Sequence, residues 1–142
     1  MTYEREHTQE AIKQRGEVFT PTKLVKQMLG KLPRELFKDH SKTFLDNSCG
    51  NGQFLFAVMK LKMLWMGSEG MRLFDAHRQA LKTIYGCELD SKNAEECRLR
   101  LLHGSQSKEL RAIVDHNIIT ADALDPKHKG WKDVGFYWEN CS

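Results

Sequence analysis

The sequence predicts an α/β fold, a parallel sheet with helices on both faces. Three observations carry this. Short runs rich in β-branched and aromatic residues alternate with longer segments whose apolar residues recur every three or four positions. The first run meets a helical segment across a turn with two glycines, Gly50 and Gly52. Acids stand at the ends of the two later runs, Glu88 and Asp122.

After a polar lead-in, "TPTKLVKQML" sets Leu24, Val25, Met28 and Leu29 on one helical face, which Gly30 and Pro33 end. "KTFLDN" reads as a short buried strand. From Gly52 onward Phe54, Val58, Leu61 and Trp65 follow helical spacing until "GSEG" (67–70) breaks it. "MRLFDAHRQALK" gives another helix, with Phe74, His77 and Leu81 in line. "TIYGCEL" (83–89) has the composition of a strand. Asp90 or Ser91 caps the helix marked by Ala94, Cys97 and Leu101. Leu110, Ile113 and Val114 mark a further helix. "HNIITADAL" (116–124) is expected as a third strand ending in an acidic turn, and "DVGFYW" (133–138) as a fourth.

A chain of 142 residues suits one domain over 1–142, a helical segment at 1–42 leading into an α/β core at 43–142. Net charge is only +3, so nucleic-acid binding has to come from a local patch or through a partner. No apolar run approaches the roughly 20 residues of a membrane span. The opening "MTYEREHTQE" is too polar and acidic for a secretory signal, which makes the expected location the cytoplasm. Cys49, Cys87, Cys97 and Cys141 form no C-x-x-C pair, and the histidines form no H-x-x-x-H pair. That spacing offers no metal set, and free thiols in a reducing compartment are the expectation.

In open parallel sheets ligands bind beyond the carboxyl ends of the strands. Glycine lets the backbone pass close to such a ligand, because no Cβ stands in the way. A tight turn with no ligand is the plain alternative, and either acid by itself reads as a solvated charge or a cap. Together at one sheet edge, Glu88 and Asp122 can accept hydrogen bonds from a ribose diol and an exocyclic amine. A dinucleotide fingerprint needs a third glycine where Leu55 stands, and its acid comes about 20 residues on. Here Glu88 follows Gly52 by 36 residues. No G-K-[ST] follows the turn, so it is not a P-loop. The ligand expected is one without a pyrophosphate.

Four segments resemble motifs of the adenine-N6 DNA methyltransferases related to type I, IIG and Eco57I-like modification enzymes. "GEVFTP" (16–21) looks like their N-terminal motif and "LDNSCGNGQFL" like their S-adenosylmethionine (SAM) loop. "GCELD" is similar to their ribose-binding segment and "ITADAL" to their adenine-binding one, in the family's order. The resemblance implies a Rossmann-like sheet of strand order 3-2-1-4 and SAM as cofactor. By the same resemblance Thr20, beside Pro21, contacts the methionine carboxylate. Asp46 and the backbone through Ser48, Cys49, Gly50 and Gly52 wrap the methionine part and sulfonium, with Phe54 just behind. Glu88 takes the ribose hydroxyls, Leu89 lies against the adenine ring, and Asp122 with Ala123 beside it meets the adenine amine. Cys49 itself reads as a small packing residue, since no histidine base is near it in sequence.

The family's chemistry uses a further N-P-P-Y/F or D-P-P-Y/F motif after the fourth strand, whose aromatic ring stacks on the flipped base. The sequence reads "KDVGFYWENCS" there, and no Pro-Pro dipeptide occurs anywhere. No catalytic residue is therefore assigned, and turnover by this chain alone is not expected. DNA is expected to be reached through a partner or assembly. The apolar "GFYW" edge points to a homodimer or a complementing subunit, because exposed apolar edges invite pairing. A non-catalytic SAM-binding regulatory module and a methyltransferase acting on a non-DNA substrate are the alternatives.

Overall fold

The computed structural model describes residues 22–122. It opens with helices α1 (Thr22–Gly30) and α2 (Glu35–Lys38), the latter a single turn that periodicity did not announce. Then come β1 (Phe44–Asp46), α3 (Gln53–Ser68), α4 (Leu73–Lys82), β2 (Ile84–Glu88), α5 (Ser91–Leu102), α6 (Lys108–Asn117) and β3 (Ile118–Thr120). The strands form one parallel sheet in the order β1-β2-β3. The expected fourth strand at 133–138 lies outside the described residues.

Register fixes the edge that matters. Asp46 lies beside Gly86, and Glu88 lies beside Thr120. Alternation along β2 turns Ile84 to the main core, which the helices fill with Leu55, Val58, Leu81, Leu101, Leu110 and others. Cys87 points the other way and gathers Leu45, Tyr85, Ile119 and Ala121. That second cluster contains no helical residue, so helical cover of both faces is not seen among the described residues.

Local chemistry sets the boundaries. Asp90 caps α5, its carboxylate accepting from the Lys92 and Asn93 amides at 2.9 and 3.0 Å. Ser107 caps α6 through the Leu110 amide at 3.2 Å. The third strand is shorter than the sequence suggests. His116 and Asn117 belong to α6, the strand ends at Thr120, and Asp122 stands two residues beyond it. The helix runs straight into the strand because the buried Asn117 side chain donates to the Leu81 carbonyl at 3.0 Å, anchoring the last helical turn.

Two apolar stripes are also re-aimed. The buried face of α3 is Leu55, Val58, Met59, Lys62 and Met66, whereas Phe54, Leu61 and Trp65 are only partly buried. In α4 the buried residues are Ala76, His77, Ala80 and Leu81, and Phe74 is exposed with the Arg78 guanidinium over its ring. The α3 helix is apolar on nearly every side, so spacing alone cannot say which side meets the sheet.

Candidate functional site

β1 ends at Asp46, and the chain turns through Asn47–Gly52 before α3 begins. The Cys49 amide donates to the Cys87 carbonyl at 3.0 Å, continuing the β1–β2 pairing into the turn. The Gly52 amide donates to the Cys49 carbonyl at 2.9 Å, which closes the turn on itself. Gly50 and Gly52 adopt φ of 54° and 87°, a region where a side chain is strained. At Gly52 space forbids a side chain as well. A Cβ there would sit 2.7 Å from the Cys97 sulfur and 3.0 Å from its Cα.

The turn and the strand ends are joined by carboxylates. Glu88 accepts from the Gly50 amide at 3.0 Å through one oxygen and from the Asp90 amide at 2.9 Å through the other. Asp46 accepts from the Ser48 amide at 3.1 Å. Burial holds the Asp46 carboxyl above the usual carboxylate range, and the Ser48 amide pulls against it only in part. The Ala121 amide donates to the Glu88 carbonyl at 3.0 Å, bringing the end of β3 to the same edge. Asp122, next in the chain, is exposed, and so is Leu89 at 71%.

The structure thus brings Asp46, Ser48, Cys49, Gly50, Gly52 and Glu88 into one hydrogen-bonded group, with Leu89 and Asp122 beside it. Phe54 leans on the hydrophobic core from the first turn of α3. Thr20, Pro21 and Ala123 lie outside the described residues. Cys49 is buried and its thiol is pushed well up, first by a hydrogen bond with Cys97 and then by burial. Such a thiol packs; it does not attack.

Sequence reasoning missed three contributors. Gly86 lets α3 cross close over β2, since a Cβ there would come within 2.9 Å of the Leu55 side chain and 3.0 Å of the Cys49 sulfur. Cys97 supplies the wall that fixes Gly52. Arg100 on α5 donates to the Asn51 carbonyl at 3.0 Å and holds the turn from behind. A glycine inside "TIYGCEL" is the one signal available in advance, because glycine in a strand often marks close backbone approach.

Four amides of the turn, those of Ser48, Cys49, Gly50 and Gly52, bond to oxygens of this same edge. They are not arranged as a nest for phosphate oxygens. The side chains at the edge are acceptors, which suits a ligand rich in hydroxyl and amino donors or carrying positive charge. The class the fold defines is an α/β protein with a three-stranded parallel sheet and an acceptor-lined carboxyl edge. The chain belongs to the N-6 DNA methylase family, whose model matches residues 3–135, nearly its whole length. No match was found among curated proteins or among solved structures. The protein is a DNA N6-methyltransferase-like protein.

Proposed function

We propose that the turn and the carboxylates around it bind SAM, and that this chain supplies the cofactor-holding part of a DNA adenine-N6 methyltransferase. The observation that carries the reading is the state of Glu88. An ionised carboxylate offers about four acceptor sites. The Gly50 and Asp90 amides occupy one on each oxygen, so both oxygens are oriented and each keeps capacity for a ribose hydroxyl. Asp46 gives the second support. A half-buried carboxyl with a raised pKa gains from a neighbouring cation, and the sulfonium and α-amine of SAM are cations.

In this reading Asp46 and the backbone from Ser48 to Gly52 surround the methionine part, with Thr20 and Pro21 reaching it from the N-terminal side. Leu89 covers one face of the adenine, and Asp122 with Ala123 receives its amine. When bound, SAM supplies an electrophilic methyl group. The chain's residues hold that group and its charge, and no residue here is assigned to the target base. In this reading there is a division of labour: the adenine is presented by residues other than these 142, among which no Pro-Pro motif occurs. A complementing subunit would fill that role, whereas a second copy pairing through the 133–138 segment would only cover the apolar edge.

Calorimetry with SAM and its demethylated product, paired with a methyl-transfer assay on mixed-sequence DNA, tests both parts. The expected result is SAM binding without turnover by the chain alone. Turnover by the chain alone would overturn the division of labour, and absent binding would overturn the cofactor reading.

A further inference from the structure

α3 has more apolar surface than its place against the sheet explains. A helix that is apolar all round is ordinarily buried all round. Here Leu55, Val58, Met59 and Met66 face the core, while Phe56, Leu61, Leu64 and Trp65 line a cavity of about 930 Å³ on the opposite side. Leu64 is 68% exposed there. α1, α2 and the turn between them form the flanking walls through Leu29, Phe37 and Leu32.

The shape is a trough. Its lining residues on α3 run from Gln53 to Trp65 at spacings of three and four, which at 1.5 Å per residue spans roughly 18 Å, about three helical turns. The rim is cationic. Lys26, Arg34, Lys60 and Arg100 line the trough, and no acidic residue does among the described residues. At the inner end the Gln53 side-chain oxygen is buried and has no hydrogen-bond partner among the described residues. A buried acceptor left so is costly unless a donor arrives.

We infer that this trough is a docking site for an acidic amphipathic helix of a partner protein. An apolar floor of helical length with a single-sign rim matches the helix-in-groove mode, where anchors at i, i+3, i+4 and i+7 fill the floor. Acidic residues on the flanks of that helix would face Lys26, Arg34 and Lys60, and a donor at one end would meet Gln53. Duplex DNA is a poorer fit, because phosphates match the rim and leave the apolar floor wet. The inner end is also the back of the glycine turn, since Gln53 follows Gly52 and Arg100 holds the Asn51 carbonyl.

The test is run on the full chain without cofactor, so its failure is separate from any failure of the SAM reading. The probe is a fluorescein-labelled four-turn peptide with leucines at i, i+3, i+4 and i+7 and glutamates on both flanks. Controls are its scrambled sequence, its lysine-flanked counterpart and a labelled 20-base-pair duplex. Anisotropy should show saturable binding of the acidic helix, with both control peptides at least tenfold weaker. Leu64→Asp and the pair Lys60→Glu with Arg34→Glu, all at exposed positions, should abolish it while circular dichroism and melting stay as in the wild type. The charge-reversed pair should gain the lysine-flanked peptide. Equal binding of acidic and scrambled peptides, no binding up to millimolar peptide, or full displacement of the peptide by the duplex would each overturn the proposal.

Discussion

The two ends of the sheet treat buried charge in opposite ways. At the amino end Lys62 is fully buried beneath the starts of β1 and β2. Its ammonium donates to the Lys42 carbonyl at 2.5 Å and to the Thr83 hydroxyl, and lies 5.3 Å from the centre of the Phe44 ring. Thr83 in turn donates to the Ala80 carbonyl at 2.9 Å. At the carboxyl end Asp46 is half-buried and accepts from the Ser48 amide, Leu89 stands in water, and Gly50 and Gly52 are held at positive φ. The amino end is a closed network that needs nothing more. The carboxyl end holds unfavourable features together, and proteins concentrate these where a ligand is to be met.

The largest effect that breaks this contrast is expected at Gly52. Gly52→Ala adds positive-φ strain and a clash with the Cys97 backbone, and should cost about 2–4 kcal/mol of stability. Gly70 shares the strain, with φ of 93°, and has open space around it. Gly70→Ala should therefore cost only about 1–2 kcal/mol. Urea unfolding of the two variants separates strain from crowding. Equal losses would mean that the Cys97 wall is not rigid.

Lys62 comes next. Burial lowers its pKa from 10.5 to about 8. Between those values the unfolded chain binds the extra proton, so stability rises with pH through the window and is lowest below about pH 8. The full rise amounts to about 3 kcal/mol. Lys62→Met should remove this rise and lift the melting temperature at pH 7, since a well-packed apolar replacement of a buried charge is often stabilising. Taking the difference between wild type and variant cancels other groups titrating there, such as the Cys87 thiol, which burial pushes up to about 11. A pH 8–10.5 slope unchanged by the substitution would contradict the desolvation of the Lys62 ammonium.

The smallest effect is the opposite sign at the other edge. The Asp46 pKa is raised, so the folded state holds the proton longer, and stability falls as pH rises through its folded value. Asp46→Asn should raise the melting temperature by a few degrees at pH 7 and leave it unchanged near pH 2, while weakening SAM. A variant that melts lower at pH 7 would show that the carboxylate is structural.

Legibility in the sequence followed how local the cause was. β1, β2 and a cap at Asp90 or Ser91 were readable, because strand composition, the paired glycines and the polar pair before "KNAEEC" act within a few residues, and folding chose Asp90. The glycine turn and Glu88 at a strand end were readable for the same reason. The α3 face was not, because apolar residues surround it and the choice belongs to the sheet and the trough. Nothing in the sequence marks Lys62 for burial, since its partners Lys42 and Thr83 are about 20 positions away in either direction. The start of β3 was hidden because "HNIIT" contains no glycine or proline between helix and strand, and the boundary is set by Asn117 reaching Leu81. Gly86, Cys97 and Arg100 act on the turn through contacts that only folding creates.

The central claim is that the carboxyl edge binds SAM with Glu88 as the ribose acceptor, and titration calorimetry of wild type and Glu88→Ala tests it most directly. Hydrogen bonds to an ionised carboxylate contribute about 1.5–3 kcal/mol each. The account predicts one SAM per chain in the wild type, no heat from NAD, and at least tenfold weaker SAM binding by a variant that still melts cooperatively. SAM affinity unchanged by the substitution, or NAD binding in place of SAM, would contradict it.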